Sequence, residues 1–261
     1  MYVGIDIGSS SSKVAIMNDE KKIVGTYVVN RGTGTDGEEI ALHSALNEAN
    51  LTEQDIKYTV VTGYGRIAYE KADKQITEIT CHAKGVTYLV PDADTIIDIG
   101  GQDSKAIKLA PNGTIENFVM NEKCAAGTGR FMEVMARVLN TDLDKLSALA
   151  DKAQKEVSIS SVCTVFAETE VISRLSAKER MEDVAKGANV AIAKRVAGMC
   201  KRVGIGNKVV MTGGVALNDN MVRTMGEVLG VEVTAAPHCQ AVGAVGAAIL
   251  AYENYQKKMK A

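Results

Sequence analysis

The chain reads Asp6-Ile7-Gly8-Ser9-Ser10-Ser11-Ser12-Lys13 near its start and Asp98-Ile99-Gly100-Gly101-Gln102-Asp103-Ser104-Lys105 ninety-two positions later. The two stretches share Asp, Ile, Gly, Ser and Lys in register. Each lies between two short apolar runs, which predicts a strand, a tight turn and a second strand. We therefore expect two matching hairpins that face one another and grip one ligand.

The residues of these turns suit a phosphate ligand. Glycine lets the backbone approach closely, and neighbouring N–H groups, hydroxyls and the Lys13 ammonium offer donors and positive charge. An aspartate at the end of each first strand suits Mg²⁺, which prefers carboxylate and water oxygens. One Asp-Ile-Gly turn is weak evidence, because ordinary hairpins use Asp and Gly for turn geometry alone. Two copies in register favour a polyphosphate site.

Composition narrows the class of protein. The chain has 261 residues, 46% of them apolar, and a net charge of −2, which allows one large domain or two smaller ones. No basic stripe indicates nucleic acid, and the longest small-and-apolar run, 241–252, is too short to span a bilayer. No charged-then-apolar leader opens the sequence. We expect a cytoplasmic protein without a membrane partner, whose five cysteines are reduced thiols or metal ligands.

Apolar periodicity predicts alternating strands and helices, and hence an α/β fold whose sheets are covered by helices. Strands are predicted at 2–7, 12–17, 22–29, 58–62, 95–99, 105–109, 157–160 and 208–212. Helices are predicted at 37–50, 66–72, 75–88, 128–139, 142–153, 164–176, 180–203, 217–229 and 240–256. The duplication places a domain boundary near Pro91-Asp92. It divides the chain into 1–92 and 93–261, with the C-terminal helix free to pack back on the first domain.

Three segments carry a family resemblance: 4–13, 97–103 and 210–218. In order and spacing they resemble the phosphate-1, phosphate-2 and adenosine motifs of the actin/hexokinase/Hsp70 ATPase superfamily. The resemblance implies two ribonuclease-H-like domains with ATP and Mg²⁺ in the cleft between them. It also implies that the bound nucleotide controls closure of the two domains.

Roles for single residues follow from these motifs. We expect Asp6 and Asp98 to hold Mg²⁺ through water, and either Gln102 or Asp103 to orient the attacking water. Phosphate contacts are expected from Gly8, Ser9, Ser10, Ser11, Ser12, Lys13, Gly100, Gly101, Gln102 and Asp103. The nucleoside is expected to contact Gly213, Gly214, Asn218 and Gln240. Two alternatives stay open. The aspartates could serve only to form the turns, and the motif at 210–218 could be a glycine turn that binds no ligand.

Residues 32–37 contain a second glycine pattern, G-x-G-x-x-G, between a predicted strand and a predicted helix. The next strand ends at Val61-Thr62 without the acidic residue that would bind a ribose. The segment continues with Glu38-Glu39, whereas a Walker loop continues with Lys and Ser or Thr. We expect a surface loop.

Cys124 and Cys163 each precede a helical pattern, so both thiols are expected at helix N-termini. The partial positive charge there, about half an elementary charge, lowers a thiol pKa and stabilises an anionic metal–thiolate cluster. Two ligands do not complete a Cys₄ site, and none of the cysteines has C-x₂-C spacing. A symmetric dimer would supply the other two ligands.

The remaining cysteines are expected to be structural or stay unassigned. Cys81-His82 is conceivable as a metal pair, but neighbouring positions on a helix point about 100° apart, which favours packing. Cys200 falls in an apolar helix and is expected to be buried. Cys239 has no partner spacing, and we assign it no role.

With both cysteines included, the chain resembles the ATP-dependent activators of 2-hydroxyacyl-CoA dehydratases, which are akin to the ATPase subunits of benzoyl-CoA reductases. Matching segments include 62–66, 167–173 and 211–214. The resemblance implies a homodimer with one [4Fe–4S] cluster bridging the subunits through Cys124 and Cys163 of each. It implies that ferredoxin or flavodoxin loads the cluster and that ATP drives one electron onto the dehydratase.

Two other functions stay open. One is a small-molecule kinase of the same superfamily, with Asp103 as its base. The other is a nucleotide-gated assembly protein without redox chemistry. The sequence does not encode which hydroxyacyl-CoA is used, because the partner enzyme handles that substrate.

Overall fold

The computed structural model describes residues 1–160 and 163–260. Among these residues the chain forms two compact units. Unit 1 is built from Met1–Ala93, Leu109–Ile115 and the segment from Ala236 onward, and unit 2 from Asp94–Lys108 and the described part of Glu116–Ala235. The chain therefore leaves unit 1 and returns to it.

The described residues form ten strands and eight α-helices. The strands are β1 Tyr2–Ile7, β2 Ser12–Met17, β3 Ile23–Val29, β4 Tyr58–Thr62, β5 Lys74–Gln75, β6 Thr95–Ile99, β7 Ser104–Leu109, β8 Ile115–Asn121, β9 Val209–Thr212 and β10 Val233–Ala235. The helices are α1 Gly37–Glu48, α2 Glu78–Leu89, α3 Gly129–Val138, α4 Leu146–Ala150, α5 Thr164–Ser176, α6 Met181–Val203, α7 Asp219–Leu229 and α8 Val242–Lys258. None of the helices in the described ranges has the length and apolar character needed to cross a membrane.

The two units contain sheets of the same topology. In unit 1 the strand order is β3-β2-β1-β4-β5, and in unit 2 it is β8-β7-β6-β9-β10. The first strand of each unit pairs antiparallel with the second and parallel with the fourth. The repeat in the sequence is therefore a repeat of the fold, and the predicted α/β class is confirmed.

Every residue of β1 is buried, because helices cover both faces of the sheet in unit 1. Val3, Ile5 and Ile7 pack with α1, while Tyr2 packs with α8 on the opposite face. Gly4 lies on this second face, where a β-carbon would stand 2.0 Å from the Ala244 carbonyl oxygen. The backbones of α8 and β1 are thus in contact at Gly4, which only glycine permits.

Helices α2 and α8 are equally close to each other. A β-carbon on Gly246 would lie 1.8 Å from the Cys81 carbonyl oxygen, and one on Gly85 would lie 2.2 Å from the Val242 carbonyl oxygen. Such distances leave no room for any side chain. Residues of α8 therefore complete the core of unit 1.

The predicted strand at 157–160 is wrong. Val157 and Ile159 are buried on alternate positions, as in a strand, but residues 157–160 pair with no strand among the described residues. The Val157 N–H donates to the Asp183 carbonyl at 3.4 Å, and the Ser160 N–H donates to the Glu170 carboxylate at 3.0 Å. The N–H groups of this segment therefore donate to a carbonyl of α6 and to a side chain of α5, and not to a neighbouring strand.

Other segments differ in type or were missed. The predicted helix at 66–72 is a 3₁₀ helix at Tyr64–Ala68, and the one at 142–153 is a 3₁₀ turn at Leu143–Lys145 followed by α4. Strands β5, β8 and β10 were not predicted from the sequence. In β8 the apolar residues Phe118 and Met120 are exposed, so no polar-out alternation indicated the strand.

Candidate functional site

Hairpin 1 (residues 6–13) and hairpin 2 (residues 98–105) have matching geometry. Gly8 donates its N–H to the Ser11 carbonyl at 3.0 Å, and Gly100 donates its N–H to the Asp103 carbonyl at 3.0 Å. In both, the aspartate that ends the first strand lies opposite the lysine of the second. An acid and a base are therefore paired at the mouth of each turn.

Hairpin 2 contains a buried ion pair. The Lys105 ammonium lies 3.1 Å from the Asp98 carboxylate and also contacts Asp103. Asp98 and Lys105 are each only 2% exposed, and the Thr212 hydroxyl donates to Asp98 Oδ1 at 2.8 Å. Because buried charges need partners, Lys105 and Thr212 fix the orientation of the Asp98 carboxylate at the strand end.

Hairpin 1 is more open. The Lys13 ammonium lies 3.4 Å from Asp6 Oδ2, with 15% and 8% of the two side chains exposed. Helix α8 begins beside this carboxylate, since a β-carbon on Gly243 would lie 3.0 Å from Asp6 Oδ2 and 3.1 Å from His82 Nε2. The positive end of the α8 dipole therefore favours negative charge at this place. Half-buried Gln240 lies two residues before α8, in the same unit.

The four serines of hairpin 1 are not equivalent. The Ser12 hydroxyl is buried and donates to the Arg31 carbonyl at 2.8 Å, so it ties the hairpin to the segment after β3. The Ser10 hydroxyl is shielded from solvent and has no hydrogen-bond partner within the described chain. A buried polar atom without a partner costs about 1–3 kcal/mol, and a ligand oxygen would remove that cost.

The loop at 32–37 packs against hairpin 1. The Thr33 N–H donates to the Gly8 carbonyl at 2.9 Å, and a β-carbon on Gly32 would lie 2.2 Å from the Ser9 carbonyl oxygen. The expected surface loop is thus a support for the turn. Its glycines permit close packing of the two backbones.

A glycine turn follows the fourth strand of each unit. Gly63 after β4 has φ 92° and Gly213 after β9 has φ 85°, and both begin a 3₁₀ helix. A β-carbon would lie 2.4 Å from the Ile7 carbonyl oxygen at Gly63 and 2.3 Å from the Ile99 carbonyl oxygen at Gly213. From the sequence, the second turn was assigned a ligand contact, whereas residues 62–66 were matched to the family without a role for the first turn. The shared Thr-Gly pair at 62–63 and 212–213 was the signal.

Asn218 follows the second of these turns and caps α7 by accepting the Met221 N–H at 2.9 Å. Its amide nitrogen is buried and lacks a partner within the described residues. Gly213, Gly214 and Asn218 lie in unit 2 with hairpin 2. The capping role of Asn218 agrees with the alternative that this segment is a glycine turn without a ligand. Its amide N–H group without a partner is instead suited to donate to a nucleoside.

Cys124 and Cys163 differ from the other cysteines in access. Cys163 is exposed and is the N-cap residue of α5, and Cys124 is partly buried. Cys124 lies in the Cys124 loop, residues 122–128, four positions before the α3 N-cap Thr128. The expected place of Cys124 at a helix start is wrong, because Gly127 has φ 86°, which no helix accommodates.

The Cys124 loop is held at both ends. The Asn121 amide donates to the Cys124 carbonyl at 2.8 Å and to the Ala126 carbonyl at 3.2 Å. At the far end, the N–H of Gly129 donates to the Gly100 carbonyl and that of Arg130 to the Gly101 carbonyl, both at 2.8 Å. Helix α3 therefore begins on the backbone of hairpin 2.

The other three cysteines are buried. Burial raises the pKa of Cys81 to about 12 and that of Cys200 to about 12, and it raises the pKa of Cys239 as well. These thiols stay protonated near neutral pH and make poor metal ligands. Nowhere in residues 1–160 and 163–260 do three or more His, Cys, Asp or Glu side chains form a group that could hold a metal ion.

Comparison of structures defines the class of the fold. A ROK family glucokinase from Streptomyces griseus, solved in complex with glucose and AMPPNP, superposes with a TM-score of 0.59 at 14% identity over 97% of this chain and 99% of that one. Since that enzyme shares little sequence, the match concerns the fold. It confirms two ribonuclease-H-like units of the actin/hexokinase type.

The chain belongs to the BadF/BadG/BcrA/BcrD ATPase family, whose model matches residues 3–251. It is 54% identical over 99% of its length to the complete activator of lactoyl-CoA dehydratase of Anaerotignum propionicum. It is 48% identical to the (R)-2-hydroxyglutaryl-CoA dehydratase activating ATPase of Acidaminococcus fermentans, over 98% of each chain. The activator of the 2-hydroxyisocaproyl-CoA dehydratase from Clostridium difficile, solved with bound ADPNP, has a TM-score of 0.96 at 47% identity and covers 100% of this chain and 97% of its own.

Proposed function

We propose that this ATPase is a one-electron donor that activates a 2-hydroxyacyl-CoA dehydratase. It works as a homodimer with a [4Fe–4S] cluster held by Cys124 and Cys163 of each subunit. The observation that carries the proposal is the attachment to hairpin 2 of the first residues of α3, which directly follow the Cys124 loop. The relatives that are 48% and 54% identical are named as activators of such dehydratases.

The two thiols fit a cluster. They are the two cysteines that solvent reaches, and both are free of disulfides. Cys163 is the N-cap of α5, and the partial positive charge of that helix end favours a negatively charged metal–thiolate cluster beside it. When bound, the cluster supplies a centre that accepts and releases one electron. Two thiols from one chain leave half of a Cys₄ set to a second copy.

Apolar residues beside Cys163 support the dimer. Val165 and Phe166, in the first turn of α5, are 67% and 68% exposed. Large apolar side chains with that exposure are typical of surfaces that become buried on association. A two-fold axis at Cys163 would cover them and would bring the two copies of the Cys163 thiol together.

The nucleotide is proposed to bind at both hairpins, with its phosphates on residues 8–11 and 100–102 and on Lys13. The unpartnered Ser10 hydroxyl supports this assignment, and the unpartnered Asn218 amide supports a nucleoside contact with Gly213 and Gly214. Gln240 is proposed to contact the nucleotide from unit 1.

Asp6 and Asp98 are proposed to hold Mg²⁺ through water. Both oxygens of Asp98 already have partners, so a water-mediated contact suits it better than direct coordination. Exposed Gln102 is proposed to orient the attacking water. Asp103 is paired with Lys105, which lowers its value as a base and weakens the kinase alternative.

Nucleotide binding reaches the thiols through contacts within unit 2. A displacement of hairpin 2 moves the Gly100 and Gly101 carbonyls, which hold the first N–H groups of α3. Helix α3 follows the Cys124 loop directly, and Arg137 of α3 pairs with Glu168 of α5 at 3.1 Å. The same displacement therefore acts on both cysteine-bearing segments.

The deciding experiment is iron analysis of anaerobically purified protein. We expect about four iron atoms per dimer, and loss of iron and visible absorption in Cys124→Ala and in Cys163→Ala. Cys200→Ala is the matched control, because that buried thiol is protonated, and it keeps the iron. Full iron content in both of the first two variants would exclude the shared cluster.

Coupling is tested on the same preparation. Chelation of cluster iron by an external ligand is followed without nucleotide, with Mg-ADP and with Mg-ATP. We expect different rates in the three states. Equal rates and equal spectra would leave an ATPase and a cluster in one protein without the coupling that the function requires.

A further inference from the structure

A groove of about 320 Å³ lies between β8 and α6 in unit 2. We call it the arginine groove, and it is lined by Met120, Asn121, Arg195, Gly198, Met199 and Arg202. Arg195 and Arg202 are seven positions apart on α6, about two helical turns, so their side chains leave the helix on the same face. The groove therefore carries two guanidinium groups along one wall.

These two arginines are exceptional within unit 2. The other five, Arg130, Arg137, Arg174, Arg180 and Arg223, each pair with a carboxylate within 4 Å. Arg195 and Arg202 are exposed and have no carboxylate partner in the part of the chain that the structure describes. An arginine fork without a partner is suited to a carboxylate supplied from outside.

The groove is kept open by glycine. A β-carbon on Gly198 would have no atom within 4 Å, so the helix backbone forms an uncovered floor. Exposed Met120 and buried Met199 add apolar surface. Two guanidinium groups around a partly apolar floor suit the acidic surface of a protein better than a free inorganic anion.

The arginine groove adjoins the Cys124 loop. Asn121 lines the groove, and its amide holds the Cys124 carbonyl at 2.8 Å. The stem of Arg195 lies against the same loop, because a β-carbon on Gly127 would be 3.1 Å from Arg195 Cγ. A partner seated in the groove is therefore separated from the Cys124 segment by a single layer of residues.

We propose that the arginine groove docks an acidic protein that carries one electron at low potential and delivers it at the Cys124 loop. This inference rests on the proposed function and assigns the docking face that function leaves open. The carrier is oxidised by one electron and the cluster is reduced by one, with no bond made or broken. Carboxylates of the carrier pair with Arg195 and Arg202 and set its orientation.

The test is a binding measurement on the anaerobic dimer, with a small acidic ferredoxin or flavodoxin as the probe. Arg195→Glu/Arg202→Glu is compared with Lys257→Glu/Lys258→Glu, a matched charge reversal at the end of α8. We expect the first variant to bind the probe roughly 10- to 100-fold more weakly at low salt, and the second to bind as the parent protein does. The affinity of the parent falls as salt is raised.

Iron content, ATP hydrolysis and reduction by dithionite are measured on every variant and are expected to be unchanged. These three measurements show that the variants are folded. They also test the proposed function separately, because missing iron would refute the cluster and leave the binding result intact. Should the charge reversal fail to fold, Arg195→Gln/Arg202→Gln replaces it. Equal affinity of the groove variant and the parent overturns the inference. So does a groove variant that binds the carrier normally and loses binding to the dehydratase.

Discussion

Replacing Lys105 by methionine tests the energetic difference between the two hairpins. The Lys105–Asp98 pair has side chains 2% and 3% exposed, whereas the equivalent Lys13–Asp6 pair has side chains 15% and 8% exposed. Lys105→Met leaves the Asp98 carboxylate buried without its counter-ion, for which we expect a loss of about 3–5 kcal/mol. Lys13→Met also leaves a mostly buried carboxylate, but the Lys13–Asp6 contact is longer, at 3.4 Å, and more exposed, so we expect a smaller loss of about 1–3 kcal/mol.

The assay is guanidinium unfolding of anaerobic protein followed by circular dichroism, with the two single variants compared under identical conditions. A third variant, Lys105→Met/Asp98→Asn, removes both charges. It is expected to regain most of the stability lost in Lys105→Met, because the carboxylate that still loses its lysine, Asp103, has 25% of its side chain exposed to water. The reasoning is refuted if Lys105→Met loses no more stability than Lys13→Met, or if the double variant is the least stable of the three.

Three further outcomes follow from the structure. Asp6→Ala is expected to lower the kcat of Mg-dependent ATP hydrolysis by roughly 10³-fold, which steady-state kinetics measure, and thermal unfolding shows that the variant is folded at the assay temperature. Cys81 and Cys200 are expected to resist alkylation in the native protein, as mapped by mass spectrometry. Burial raises the pKa of each thiol from 9.0 to about 12, so the unfolded chain ionises first as pH rises. The stability contributed by the neutral thiols is therefore complete below pH 9 and is lost as pH rises towards 12, which denaturation at stepped pH detects. Gly246→Ala is expected to cost about 1–3 kcal/mol or more, because its β-carbon would overlap the Cys81 carbonyl, whereas Gly198→Ala in open space gains up to about 1 kcal/mol in the same unfolding assay.

Local sequence signals sufficed for the elements nearest the hairpins. The repeat of Asp, Gly and Lys predicted both turns, because their geometry depends on residues within eight positions of each other. The turn at Gly213 was assigned a ligand contact through its glycine pair. The turn at Gly63 has a tyrosine at the next position, and its segment was matched to the family without a role. The need for glycine at position 63 is evident only in the structure, where the Ile7 carbonyl leaves no room for a side chain.

Features made by distant segments were beyond reach. The alternation of Val157 and Ile159 predicted a strand, but what those residues pack against is set by the tertiary fold. The arginine groove depends on which arginines lack an acidic partner in space, and spacing along α6 alone does not reveal that.

The discontinuous course of unit 1 has a consequence for synthesis on the ribosome. Gly4 and the strand that contains it lie against α8, which starts at Val242, so the face of β1 bearing Tyr2 has no cover until the whole of unit 2 has been translated. Unit 2, from Asp94 to Ala235, has all of its own strands before α8 emerges. We therefore expect the nascent chain to complete the later unit first, and the packing of α8 beside Asp6 in the earlier hairpin to come last.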